Sequence, residues 1–248
     1  VDYADVVTSL RAAGCVFAED EARLLVTSGA PLGPMVERRS AGEPLEHVLG
    51  WAEFAGRRFA VEPGVFVPRH RSELLVRLAA GLARAGSVVL DLCCGSGALG
   101  ATVAAEIPGI ELHAADLEPA AVRCARRNVP GPVYEGDLYE PVPARLRGRV
   151  DVLISNVPYV PTEDIRLLPP EAREHEPWTA LDGGDDGLAV LRRVVAEAPR
   201  WLAPGGHVLF ETSERQAPVA VAEVRRAGLA ARTERSADLG ATVVLGGR

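Results

Sequence analysis

Asn156-Val157-Pro158-Tyr159 sets a carboxamide, a stretch of extended backbone and a phenol ring at four consecutive positions. That set suits a planar nitrogen nucleophile. An amide or aromatic amine delocalises its lone pair, so the NH2 group must be gripped and turned before it can attack. The Asn156 side-chain oxygen and a loop carbonyl can accept its two N–H groups. Held so, the lone pair is aimed and the pyramidal geometry of the transition state is favoured. Pro158 stiffens the loop and restricts Val157 to extended backbone, while Tyr159 offers a face on which a planar group stacks. Asn156, Pro158 and Tyr159 are the candidate catalytic residues, and with Val157 they form the candidate substrate contact. No general base is needed, because the nitrogen becomes acidic after transfer and can lose its proton to water.

A second constellation lies upstream. Val88-Val89-Leu90-Asp91-Leu92-Cys93-Cys94-Gly95-Ser96-Gly97 is an apolar strand running into a glycine loop that opens a helix. Glycines there allow a sharp turn and a close approach to a ligand. Asp116 ends the next strand, 19 positions beyond Gly97, where a carboxylate can accept from ribose hydroxyls. Gly95 to Gly100 spells G-x-G-x-x-G, so a dinucleotide must be weighed. Charge separates the two ligands. A dinucleotide brings phosphates that Asp91 would oppose, whereas S-adenosylmethionine brings a sulfonium and an ammonium that a carboxylate favours. The helix amino end can take the methionine carboxylate. Asp137 with Leu138, after the third strand, is placed to receive an adenine amino group and ring.

The elements that must position these loops follow from the hydrophobic pattern. Strand-like runs at Val88–Leu92, Glu111–Asp116, Val133–Gly136, Val150–Ser155 and His207–Thr212 alternate with helical stretches at Ala98–Glu106, Ala120–Asn128 and Leu188–Leu202. This alternation predicts an α/β fold with a parallel sheet between helices. Strands near Ala230–Arg235 and Ala241–Leu245 predict an antiparallel hairpin at one edge. Residues 1 to about 45 read as short helices that must lean on something, and Trp51 to Val61 reads as a hairpin turning at Ala55-Gly56-Arg57-Arg58.

Composition narrows the class. The net charge of −7 argues against a chain that coats nucleic acid. All 27 basic residues are Arg, which excludes Schiff-base and P-loop lysine chemistry. Cys15, Cys93, Cys94 and Cys124 lack metal-ligand spacing, so no metal site is expected. Neither a membrane span nor a signal-peptide pattern is found, which makes the cytoplasm the expected location. The Arg38-Arg39, Arg57-Arg58 and Arg126-Arg127 pairs read as solvated faces.

These motifs, with two flanking segments, resemble the HemK/PrmC family of protein-(glutamine-N5) methyltransferases from about Gly42 to the carboxyl end. Gly64-Val65-Phe66-Val67-Pro68-Arg69-His70-Arg71-Ser72-Glu73 is similar to the family's F-x-P-R-P-E-T-E segment. Glu176-Pro177 through Ala180-Leu181-Asp182-Gly183-Gly184 and Asp186-Gly187-Leu188 resembles its E-P-x-x-A-L-x-G-G-x-D-G-L stretch; Leu202 to Gly206, Glu211 and Gln216 also match. The resemblance implies a class I, Rossmann-like seven-stranded methyltransferase sheet (residues 64–248), preceded by a small helical substrate-recognition domain (1–48) and a β-hairpin linker (49–63). It implies S-adenosyl-L-methionine as donor, S-adenosyl-L-homocysteine as product, and a glutamine side chain of a protein as acceptor. Phe66 and Ser72 would lie by the methionine end of the donor; Asp91, Cys94, Gly95, Ser96 and Gly97 along it; Asp116 and Leu117 by the ribose; Asp137 and Leu138 by the adenine; and Asn156 between donor and acceptor.

Three sites depart from the family pattern. Asn-Pro-Pro-Tyr is here Asn-Val-Pro-Tyr, the loop's first glycine is Cys93, and Pro-Glu-Thr is His70-Arg71-Ser72. The amino-terminal domain is also short for release-factor recognition, so the chain reads as a related branch with an unidentified protein substrate rather than as the release-factor enzyme itself, acting as a monomer and not directly on nucleic acid. Methylation of a nucleobase amine, and a scaffold that binds the donor without turnover, are the alternatives.

Overall fold

The computed structural model describes residues 2–248. Helices α1 (Tyr3–Ala12), α2 (Ala18–Thr27), α3 (Leu32–Ser40) and α4 (Leu45–Leu49) lead into a hairpin of β1 (Trp51–Phe54) and β2 (Arg57–Ala60). Helix α5 (Glu73–Leu82) then precedes the alternating part: β3 (Val88–Leu92), α6 (Ala98–Glu106), β4 (Glu111–Asp116), α7 (Pro119–Asn128), β5 (Val133–Glu135) and β6 (Val150–Ser155). Short helices α8 (Pro170–His175) and α9 (Trp178–Leu181) separate β6 from α10 (Ala189–Trp201), β7 (Leu202–Thr212), α11 (Ala217–Arg226), β8 (Ala230–Ser236) and β9 (Ala241–Gly247).

Seven strands form one sheet in the order β5-β4-β3-β6-β7-β9-β8. All neighbours are parallel except β9, which runs antiparallel to β7 and β8. The sheet is buried on both faces, so β3 is apolar almost throughout instead of alternating. Its pleat sends Val88, Leu90 and Leu92 to the α10–α11 side and Val89 to the α5–α6 side. The edge hairpin is as expected. Helices α5 and α11 were not foreseen, and β7 starts five residues earlier than its apolar run, through Pro204-Gly205-Gly206.

The order reverses between β3 and β6, and there the carboxyl ends of adjacent strands diverge to leave a crevice. Leu92 pairs with Ser155 at that point. The glycine loop follows the one strand and Asn156 the other, which is how residues some sixty positions apart meet.

Val6, Leu10, Leu25, Met35, Val36 and Val48 give the amino-terminal helices a small core of their own. Two polar contacts tie this bundle to the rest. His47 Nε2 meets the Val65 carbonyl at 2.8 Å; burial lowers the His47 pKa, so the ring stays neutral and donates from this nitrogen. Arg39 corrects its sequence reading. It is buried, not solvated: Nε and Nη2 donate to Glu21 at 2.6 and 3.1 Å, and Nη1 donates to Glu171 at 2.5 Å. The hairpin turn is also tighter than expected. Phe54 pairs with Arg57, so only Ala55 and Gly56, both at positive φ, form the turn, and Arg57-Arg58 belong to β2.

Candidate active site

The carboxyl ends of β3, β4 and β6 open into a cavity of about 380 Å³. Of the residues singled out from sequence, Phe66, Asp91, Cys94, Gly95, Ser96, Asp116, Leu117, Asp137, Leu138, Asn156, Val157, Pro158 and Tyr159 line it. Ser72 and Gly97 do not. Ser72 is fully buried behind Asn156. Gly97, at φ +78°, lets α6 pack on α7: a Cβ there would strike Val129 and crowd Ala125. Its glycine identity serves helix packing rather than wall-building.

The glycine loop keeps its path despite Cys93, which takes φ +55°, in the left-handed region natural to glycine. A non-glycine residue there costs on the order of 1–2 kcal/mol. Hydrogen bonds hold the loop in place: Asp116 Oδ2 accepts from Gly95 N at 2.8 Å, and its Oδ1 accepts from Glu118 N at 2.9 Å. Burial nonetheless raises the Asp116 pKa. Asp91 accepts from Gly100 N at 2.9 Å, and burial raises its pKa to about 7. Two carboxylates in a cavity wall, each pushed toward its neutral form by desolvation, suit a cationic ligand. With the glycine turn between them, they could hold the positive end of a ligand and would oppose a pyrophosphate when ionised. At the far end, Asp137 is engaged with Arg193 at 2.6 Å, a partner its sequence neighbourhood did not reveal.

Around Asn156 a buried polar network runs across the sheet ends. Glu211, at the end of β7, is 1% exposed. Its Oε1 accepts from Arg71 Nε at 2.8 Å and from Tyr159 OH at 2.7 Å, and its Oε2 accepts from Ser72 Oγ at 2.7 Å. Because the Ser72 proton points at Glu211, its oxygen can only accept from Asn156, and Asn156 Nδ2 lies 3.5 Å away. The amide orientation follows. Nδ2 belongs to Ser72, and Oδ1 is a buried acceptor with no partner in the protein. Such an atom costs about 1–3 kcal/mol until a donor meets it.

The loop itself is clamped. Gln216 Nε2 donates to the Tyr159 and Asp186 carbonyls, both at 2.9 Å. Gly187 sits so close that a Cβ would collide with both Gln216 and the Tyr159 carbonyl. Val157 turns its side chain into the core beside Leu188 and is 1% exposed. Valine therefore fills a packed position, and Pro158 alone stiffens the loop. The Arg71 guanidinium, where the family pattern has an acid, lies 5.7 Å above the Tyr159 ring. Burial, with Glu211 beside it, raises the Tyr159 pKa and keeps the phenol protonated. Sequence reading matched Glu211, Gln216 and Glu176 to motifs without a task for them. Their one local signal was polarity inside apolar or glycine-rich surroundings.

Comparison with known proteins places this geometry. Residues 57–167 match the family model described as "Methyltransferase small domain". A release factor glutamine methyltransferase of Geobacter sulfurreducens is 37% identical over 222 residues, covering 84% of this chain and 77% of that one. A 4-amino-L-phenylalanine/4-methylamino-L-phenylalanine methyltransferase of Streptomyces pristinaespiralis is 39% identical over 191 residues, covering 73% of this chain and 65% of that one. Among solved structures, a methyltransferase from Pyrococcus furiosus aligns with a TM-score of 0.58 at 18% identity, over 76% of this chain and 87% of that chain, a likeness of fold.

Proposed function

Since this chain belongs to the release factor glutamine methyltransferase family, an S-adenosylmethionine-dependent group, we propose that it methylates the N5 nitrogen of a glutamine in a translation release factor, with the Asn156 loop as its grip. One observation carries the reading: the buried Asn156 Oδ1 has no partner while its amide nitrogen is committed to Ser72. An acceptor held ready by a fixed network suits the N–H of a primary carboxamide.

When bound, S-adenosylmethionine supplies the electrophilic methyl group on its sulfonium. Asp116 and the Gly95 turn would hold it at the ribose, Leu138 and Asp137 at the adenine, and Phe66 at the methionine end. Asn156 Oδ1 takes one N–H of the glutamine amide, a carbonyl of the Val157-Pro158 loop takes the other, and the Tyr159 ring, pinned by Glu211, backs the amide plane. Two grips fix the plane and leave the lone pair one direction to point. After transfer the nitrogen carries an acidic proton, which passes to water.

We read residues 1–48 as the part that recognises the substrate protein, 49–63 as a linker and 64–248 as the methyltransferase unit, working as a monomer in the cytoplasm. Among the described residues no helix is long and apolar enough to cross a membrane.

Incubation with labelled donor and release factor made in cells lacking this enzyme class should label one glutamine of that protein. Label found only on nucleic acid, or only on an aromatic amine such as 4-aminophenylalanine, would replace the assignment. The Streptomyces pristinaespiralis relative keeps the second outcome open, since an aniline nitrogen shares the planar NH2 geometry.

Donor affinity should tighten with pH. Asp91 has a folded pKa raised to about 7, so its contribution to stability is full below its unfolded value and is lost as pH rises through 7. A bound cation favours the ionised form, so binding expels the proton held at lower pH. Affinity should rise several-fold from pH 6 to 8, with proton release detected by calorimetry in buffers of different ionisation enthalpy. A flat profile would remove Asp91 from the cationic subsite.

A further inference from the structure

Asn156 Oδ1 has one counterpart. Among the described residues the only other buried side-chain polar atom without a hydrogen-bond partner is Glu176 Oε2, and Glu176 lines the same cavity. Its side chain is 1% exposed. The other oxygen, Oε1, accepts from Val67 N at 3.2 Å and from Arg69 Nη2 at 2.6 Å, which fixes the carboxylate and leaves Oε2 over. Withheld from water and given no donor, Oε2 is expensive to keep, and burial pushes the Glu176 pKa up against the pull of Arg69. In a cavity wall, its cost is recovered when a ligand brings an N–H.

The position of Glu176 indicates which ligand. It belongs to the side of the cavity that the amino-terminal helices close. Pro44 and Glu46 line the cavity there, and a Cβ on Gly42 would come within 3.9 Å of His175. Arg39 ties the bundle to Glu171 on the same segment. The partner Arg69 already balances the carboxylate charge, so the remaining lone pairs suit a neutral N–H better than a second cation. We propose that Glu176 is a second acceptor for the substrate polypeptide, taking through Oε2 a backbone N–H of the segment that carries the glutamine. This rests on the protein-substrate reading above. It adds a reason for selecting a glutamine within extended chain over a free amide: only a peptide presents the carboxamide to Asn156 and a backbone N–H to Glu176 together.

Glu176→Gln tests it with little change of shape. Val67 N and Arg69 can only donate, so the amide oxygen of the variant stays with them and its NH2 replaces Oε2, facing a donor with a donor. KM for unmethylated release factor should rise about tenfold or more, with kcat and donor affinity within about twofold. A chemical counterpart uses short glutamine peptides in which the flanking backbone N–H groups are replaced one at a time by ester oxygens. One position should cost the wild type about tenfold in kcat/KM and cost the variant nothing further. Weakened donor binding in the variant would assign Glu176 to the cofactor instead and overturn the proposal, as would an unchanged KM or an ester series with no sensitive position. If thermal melting shows that Glu176→Gln does not fold, the ester series on the wild type decides alone. A wild type that methylates neither release factor nor peptide removes the parent reading; one that methylates the peptide and all its ester analogues at the same rate removes only this proposal.

Discussion

Asn156→Ala is expected to lower turnover at least about 100-fold while leaving affinity for S-adenosylmethionine within a few-fold. The variant deletes the one acceptor that the network around Ser72 keeps free, so the glutamine amide loses a hold it needs in the transition state more than in the ground state. Single-turnover rates with saturating donor measure the first quantity, and calorimetric titration of the donor measures the second. The fold should survive, because Asn156 gives the protein only one long hydrogen bond, 3.5 Å to Ser72. Equal losses in turnover and donor affinity would mean that Asn156 chiefly holds the cofactor.

Glu211→Gln is the subtler change and should cost roughly 10- to 100-fold in kcat at nearly unchanged donor affinity. Glu211 does not line the cavity and acts only through others. Arg71 Nε can only donate, and it meets Oε1 together with the Tyr159 hydroxyl. The amide oxygen of the variant must therefore stay on that side, and its NH2 must face Ser72. Ser72 then receives a hydrogen bond where it used to give one, and its own proton turns to Asn156. The Asn156 amide answers by flipping, which presents NH2 to the substrate amide in place of Oδ1. A donor opposing a donor raises the barrier without emptying the site. Ser72→Ala in the same background breaks the relay, so it should restore part of kcat; a purely structural role for Glu211 predicts no such rescue. Glu211→Ala is a different experiment, since it leaves Arg71, Tyr159 and Ser72 without their shared acceptor and should lower the melting temperature.

Much of this was legible along the chain. The glycine loop after Val88–Leu92, the acid at the end of β4 and the Asn156 loop after β6 are local patterns, each set by a strand's apolar run and the turn residues that end it. Helix α5 was missed because its apolar face continues from the Phe66 segment, and its N-cap residue, Ser72, makes no cap hydrogen bond and spends its hydroxyl on Glu211. Helix α11 was missed because Pro218 and a short alanine-rich turn mark its start only weakly. Arg39 was misread as a surface charge since its partners, Glu21 and Glu171, lie 18 and 132 positions away.

The amino-acid order by itself determined the alternation of strands and helices, the loops that end them, and the donor and acceptor groups each loop carries, because periodicity, turn chemistry and residue type act within a few neighbours. Only the tertiary structure decided which of those groups are spent and which are free. Strand order brings Glu211 to Ser72 and Glu176 to Val67 across 139 and 109 positions. Whether a buried oxygen is satisfied depends on what the other end of the chain brings to it.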